Sequence, residues 1–324
     1  MNIVDALILG VVEGISEFLP ISSTGHLILA SNLLGLPQTE LLKTFEIAIQ
    51  LGAILAVVAL YWKRLLDVVL LKKLAVAFAP TALIGFTVYP FFKASLNGNM
   101  QVVVWALLIG GIALIAFDYW KREESGSIEE LSYMQCALIG LCQSVAIIPG
   151  VSRSAATIIG GELLGMSRAA VVEFSFLLAV PTMLAATAYD VLKQADTFSR
   201  SDFGLLGVGF IAAFVVALVS IRWLLAFVRT HGFAVFGAYR IVLALAFMVL
   251  VVKTTPHTCE GVRAAAAARL QDFSSTKNPY PSGYVASLPK KKNYRVRISR
   301  RFQSHVPAHP NTMPSSAPTQ TSLT

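Results

Sequence analysis

The chain has 324 residues, of which 56% are hydrophobic and only 14% charged, with a mean hydropathy of +0.68; an average soluble domain carries roughly 25% charge. That balance excludes a soluble globular protein and predicts a polytopic membrane protein. The formal net charge of +8 does not signal nucleic acid, because 11 Lys and Arg from residue 253 onward face only Glu260 and Asp272, whereas residues 1–252 carry 15 basic against 16 acidic residues.

A fully spanning helix needs ~20 apolar residues, and apolar stretches of about 10 to 14 favour re-entrant or interfacial segments. The first apolar run, residues 3–12, is cut by Glu13, Glu17 and Pro20 before apolar character resumes over 27–36. This predicts a helix–loop–helix hairpin dipping into the bilayer. Three stretches long enough to cross follow, at about 44–62, 74–92 and 101–120. A second hairpin is predicted where residues 134–145 give way to Pro149-Gly150, then Ser152-Arg153-Ser154, then a short helical run to Leu164. Three more spans are predicted at about 170–192, 203–227 and 234–252. The remaining residues, 253–324, are basic and rich in Pro, Ser, Thr and Ala, a composition that does not offset its ordering entropy and predicts a disordered tail. Cys136, Cys142 and Cys259 form no metal-ligand or disulfide spacing, and the first two read as small apolar helix residues.

Alternating the spans places Lys63, Arg64, Lys72, Lys73, Lys121, Arg122, Arg168, Arg222 and Arg229 on one side and Lys43, Lys93, Lys193 and Arg200 on the other. Nine against four makes the first side cytoplasmic, with both termini outside. The first hairpin then opens outward and the second inward. Gly10-Val-Val-Glu13 aligns with Gly140-Leu-Cys-Gln143, Ser22-Ser23 with Ser152-Arg153, and Phe45 with Phe174, at offsets of 130, 130 and 129. The expected architecture is therefore all-α and integral to the membrane: six transmembrane helices plus two re-entrant hairpins in an inverted-topology repeat. Residues 1–252 form the membrane-embedded catalytic domain, with halves of about 1–120 and 133–252. Such repeats are also a transporter scaffold, so a lipid-phosphate flippase or ion-coupled transporter is the alternative function.

Ionisable groups at bilayer depth are costly and mark function. Glu13 and Glu17 lie four residues apart, on one helical face. Two carboxylates that close repel unless a proton or a cation sits between them. Mg²⁺ or Ca²⁺, completed by substrate phosphate oxygens, would resolve the repulsion, as would protonation of one Glu. Beyond Pro20, any of Ser22, Ser23 and Thr24 can cap the next helix and offer hydroxyls and free N–H groups to an anion. Ser152 and Ser154 repeat the device, and Arg153 adds a planar fork suited to phosphate. Capping alone explains the serines, but not an arginine at that depth. His26 follows Ser22 and Ser23 at helical spacing, as a base for a serine nucleophile or as a ring bonded to backbone or to Glu.

The pattern ExxxE then PxSSTGH, from Glu13 to His26, and the pattern PGxSRSxxT, from Pro149 to Thr157, resemble the bacterial undecaprenyl-diphosphate phosphatase (bacitracin-resistance) family. The resemblance covers residues 1 to about 252. It implies a metal-dependent enzyme of the bacterial cytoplasmic membrane that hydrolyses undecaprenyl diphosphate to the monophosphate lipid carrier and inorganic phosphate. Its active site would open to the periplasmic side. Carried across position by position, it implies Glu17, Ser23, His26 and Arg153 as catalytic, and Glu13 with Glu17 as holding the divalent cation. Ser22, Thr24, Ser152, Ser154 and Thr157 stand as substrate phosphate contacts. The expected partners are the polyprenyl diphosphate and bilayer lipids, with no nucleic acid; a homodimer is compatible with such a chain. The tail beyond residue 252 departs from the family's usual length and receives no catalytic role.

Overall fold

The computed structural model describes residues 1–37, 39–96, 100–120, 125–194 and 203–249; the tail predicted for 253–324 lies outside the described residues. Among the described residues ten α-helices run in chain order: α1 (Ile3–Ser16), α2 (Ser23–Leu33), α3 (Glu40–Tyr61), α4 (Val68–Leu96), α5 (Met100–Tyr119), α6 (Tyr133–Gln143), α7 (Arg153–Leu163), α8 (Arg168–Gln194), α9 (Phe203–Val228) and α10 (Ala234–Val249). Among the described residues the sole β feature is an isolated bridge between Gly126 and Met166. Stretches of α3, α4, α5, α8 and α9 are long and apolar enough to cross a membrane. α10 is shorter as far as it is described, and the span predicted at 234–252 runs past its last described residue. The chain is an all-α membrane protein.

The two hairpins occupy equivalent places in the two halves, α1–α2 in the first and α6–α7 in the second. Each begins with a reciprocal cap: Asn2 with Asp5, and Ser132 with Gln135, satisfying the free N–H groups of the first turn. Each breaks before a serine and restarts immediately after it. Packing then crosses between halves. Gly10 and Gly14 let α1 lie directly on α9, where a Cβ would meet the carbonyl oxygens of Gly209 and Ala213, and Gly140 lets α6 lie on the Ala77 carbonyl of α4. Small residues at such contacts are how helices approach closely where apolar burial gives little drive between them. Each hairpin is thus seated on a long helix of the opposite half, so their tips meet.

One end of the bundle is tied by ions. Arg64 pairs with Glu129 at 2.7 Å and Glu173 at 3.1 Å, and Arg168 pairs with Asp118 at 2.6 Å. Lys73 donates to the carbonyls of Ile128 at 3.0 Å and Glu129 at 2.7 Å. The hydrogen bond from Arg64 holds the Glu129 carboxyl below its ordinary value, so that pair is ionised at neutral pH. Arg64, Lys73 and Arg168 are among the basic residues that the charge count assigns to one side.

Candidate active site

The site forms where the hairpin tips meet. α1 ends at Ser16, but Glu17 keeps helical geometry and its N–H still bonds the Glu13 carbonyl at 2.9 Å. The two carboxylates therefore lie one turn apart. Glu13 is 1% and Glu17 8% exposed. The chain then turns through Phe18–Ile21 to Ser22, the N-cap of α2.

Ser22 and Ser152 are the non-glycine residues with positive φ among the described residues, at 71° and 75°. Their offset is the repeat offset of 130. With ψ of 94° and 117° they fall outside the left-handed helical well, a conformation costing of order 1–3 kcal/mol that collects at functional sites. Each serine caps its own helix, Ser22 Oγ accepting from the Gly25 N–H at 3.5 Å and Ser152 Oγ from the Ala155 N–H at 3.3 Å. The sharp turn puts the next residue, Ser23 or Arg153, on the first helical position and aims both at Glu17.

Glu17 is the hub. Its Oε2 accepts from Ser23 Oγ at 2.6 Å, and its Oε1 accepts from Arg153 Nη2 at 3.0 Å. Arg153 also donates from Nη1 to the Ser175 carbonyl at 2.9 Å, and its guanidinium lies 5.8 Å from the centre of the Phe18 ring. Phe18 in turn meets Phe176 edge-on at 5.4 Å. Two buried polar atoms of this cluster lack a hydrogen-bond partner: Glu13 Oε2, an acceptor, and Arg153 Nε, a donor. Buried polar atoms are rarely left unpaired without a ligand or a function. An acceptor suited to a cation and a donor suited to a phosphate oxygen are complementary halves of a metal–phosphate group.

The donor set fits a hard divalent ion of the Mg²⁺ or Ca²⁺ kind, which binds through one or two carboxylates and leaves its other positions to water and phosphate. Among the described residues no cluster of three or more His, Cys, Asp and Glu is placed to hold a metal by protein ligands alone. Glu13 brings a free oxygen, while both oxygens of Glu17 are already engaged.

Other expected residues divide. Thr24 is exposed at the start of α2. Ser154 is buried and donates to the Leu19 carbonyl at 2.9 Å, joining the two tips. Thr157 is buried against Ser175 Oγ at 2.6 Å and the carbonyls of Arg153 and Ser154. Both hydroxyls are thus engaged by protein partners. His26 does not reach Ser23 Oγ: its Nδ1 lies 2.8 Å from the Ser22 carbonyl oxygen and its Nε2 2.7 Å from Tyr239 Oη. Ser23 Oγ gives its hydrogen bond to Glu17 instead.

Arg240 was not singled out by the motifs. It is wholly buried and donates to five carbonyls: Pro20 at 3.3 Å in one tip, Gly150 at 3.0 Å and Val151 at 2.9 Å in the other, and Ala106 at 2.9 Å and Leu107 at 3.3 Å on α5. No ion pair to a carboxylate accompanies these bonds among the described residues. Gly110, which the repeat offset of 130 matches to Arg240, leaves the space the guanidinium fills. The signal was in the sequence: one arginine inside an otherwise apolar helix.

Residues 6–246 match the family described as bacitracin resistance protein BacA. The chain belongs to that family. An undecaprenyl-diphosphatase of Sulfurihydrogenibium sp. is 52% identical over 250 residues, 76% of this chain and 98% of its own. Those of Aquifex aeolicus and Thermus thermophilus are 50% and 51% identical, each over 75% of this chain and 96% and 95% of their own. The BacA match ends at 246 and so takes in both hairpins and the Arg240 segment.

Proposed function

We propose that this protein hydrolyses undecaprenyl diphosphate to undecaprenyl phosphate and inorganic phosphate, recycling the lipid carrier of cell-wall synthesis and thereby conferring bacitracin resistance. The observation that carries this reading is the hub at Glu17, which holds a serine hydroxyl and an arginine together beside one unpaired buried acceptor and one unpaired buried donor. The relatives named undecaprenyl-diphosphatase support the substrate. In this reading six spans and two re-entrant hairpins set the site near the midplane of the bacterial cytoplasmic membrane, open to the periplasmic side, with the polyprenyl tail among the lipids.

Glu17 takes the Ser23 proton on Oε2 as Ser23 Oγ attacks the terminal phosphorus, and the anhydride P–O bond breaks to release the lipid monophosphate. Glu17 passes that proton to the departing lipid monophosphate; water then cleaves the phosphoserine, with Glu17 taking the water's proton and returning it to Ser23 Oγ as inorganic phosphate leaves. Arg153, fixed by Glu17, Ser175 and Phe18, directs its fork at the phosphate oxygens, and its unpaired Nε finds its partner there. A divalent cation held by Glu13 and Glu17 would supply charge neutralisation for the diphosphate. The strained N-caps put two helix N-termini at the same point, where N–H groups favour anions.

The test is phosphate release from a polyprenyl diphosphate by purified protein in detergent, with and without chelator. Release that stops with chelator and returns with Mg²⁺ or Ca²⁺ is the expected result. No membrane is present to cross, so a transporter would release nothing.

A further inference from the structure

The chemistry proposed above leaves His26 without a proton to move, and the structure supplies it with other work. Nδ1 faces a carbonyl oxygen, which can only accept, so Nδ1 carries a hydrogen and donates it to the Ser22 carbonyl at 2.8 Å. In the neutral ring Nε2 is then an acceptor, and its neighbour at 2.7 Å, Tyr239 Oη, is the donor. The rings lie nearly parallel, at 6° with centroids 5.6 Å apart. The Ser22 carbonyl also accepts the His26 backbone N–H at 3.3 Å. A line of three hydrogen-bonded groups thus runs from α10 to the strained residue immediately before Ser23.

The comparison between halves makes this specific. Ser152 has the same backbone shape as Ser22, and its carbonyl accepts the Ala156 N–H at 3.1 Å. At the repeat offset of 130, Ala156 stands where His26 does and Ile109 where Tyr239 does, so the second hairpin has no equivalent of the line. The turn does not need the line to form. The line reaches only the hairpin that bears the attacking hydroxyl, and it restrains the peptide that sets where that hydroxyl lies against Glu17.

We infer that Tyr239 is a positioning residue for the hydrolysis: through His26 it fixes the Ser22 carbonyl and so the approach of Ser23. This rests on the assignment of Glu17 as the base. Near-attack placement is sensitive to such restraints, and a single neutral hydrogen bond corresponds to roughly two- to tenfold in rate.

Two substitutions test it. Tyr239→Phe keeps the ring and removes the hydroxyl; kcat should fall about two- to tenfold with KM unchanged. His26→Asn keeps an N–H donor near the Nδ1 position but has no titratable ring. It should retain about two to ten times the activity of His26→Ala, and adding Tyr239→Phe to it should cost nothing further. Nitrogen NMR of labelled His26 should show the hydrogen on Nδ1 in the parent, with the Nε2 resonance moving in Tyr239→Phe. If His26→Asn is as inactive as His26→Ala, or if Tyr239→Phe multiplies the loss in the asparagine background, the positioning role is overturned. Parent phosphate release would be untouched by that failure, which separates it from failure of the phosphatase reading.

Discussion

Glu17→Gln is the most demanding perturbation of this site, because it removes charge while keeping shape. Glutamine has one oxygen and one NH₂ where Glu17 has two acceptors. If the oxygen stays with Arg153, the NH₂ faces Ser23 and cannot take its proton. If it stays with Ser23, two sets of donors confront each other at Arg153. In the first arrangement a general base is lost, a factor of ~10²–10⁴ in rate. In the second, a buried ion pair whose side chains are 12% and 6% exposed is broken, which costs about 3–5 kcal/mol of stability when one charge is left alone. Retaining one acceptor places the expected stability loss at or below the lower bound. We therefore expect kcat to drop at least a hundredfold, with measurable but incomplete thermal destabilisation. Phosphate release and thermal unfolding in the same detergent give both numbers, and Ser23→Ala should add little on top of Glu17→Gln because the pair acts in one step. Turnover within tenfold of the parent at an unchanged Tm would refute the hub. Recovery by excess Mg²⁺ or Ca²⁺ would instead assign Glu17 to cation binding alone.

Three further outcomes follow from the same geometry. Arg153→Lys keeps the charge but cannot span Glu17 and the Ser175 carbonyl while presenting a planar face to Phe18, so phosphate release should stay more than tenfold down; full activity with lysine would mean that potential alone matters. Gly110→Ala forces a Cβ into the Arg240 guanidinium and should cost ~1–3 kcal/mol by thermal unfolding, whereas Gly85→Ala, with open space around it, should be neutral or slightly stabilising. Deleting residues 256–324 should leave turnover per folded molecule within about twofold in the same assay.

What could be read in advance was whatever local sequence controls. Both hairpins were legible because a carboxylate pair or a Pro-Gly break interrupts an apolar run too short to span. The Glu13–Glu17 face was legible because helical geometry persists to Glu17 although the hydrogen-bonded helix stops at Ser16. The Ser23–His26 pairing was inferred from helical spacing, and there the inference met its limit. Side chains on a helix lean towards its N-terminus and reach the preceding turn, so His26 meets the carbonyl of Ser22, four residues back, rather than the hydroxyl of Ser23. Ser23 faces Glu17, six positions back, across a non-helical turn, which no periodicity describes. Arg240 depends on contacts from 89 to 220 residues away. A lone arginine in an apolar helix announces a function, but its partners are backbone atoms and leave no mark in composition.

The Arg240 bonds also set an order of assembly. The Pro20 carbonyl waits for a partner that lies 220 residues later in the chain, and at ~5–20 residues per second that is on the order of 10 to 45 s of synthesis. Until residue 153 is made Glu13 and Glu17 are without Arg153, and for the whole interval both tips lack the cation that ties them. The first half must therefore be held in a provisional state, by lipid headgroups, water or the insertion machinery, until α10 arrives. Ribosomes stalled before residue 240 should carry a first hairpin that is open to water and to proteases, and release of α10 should close it in a single late step.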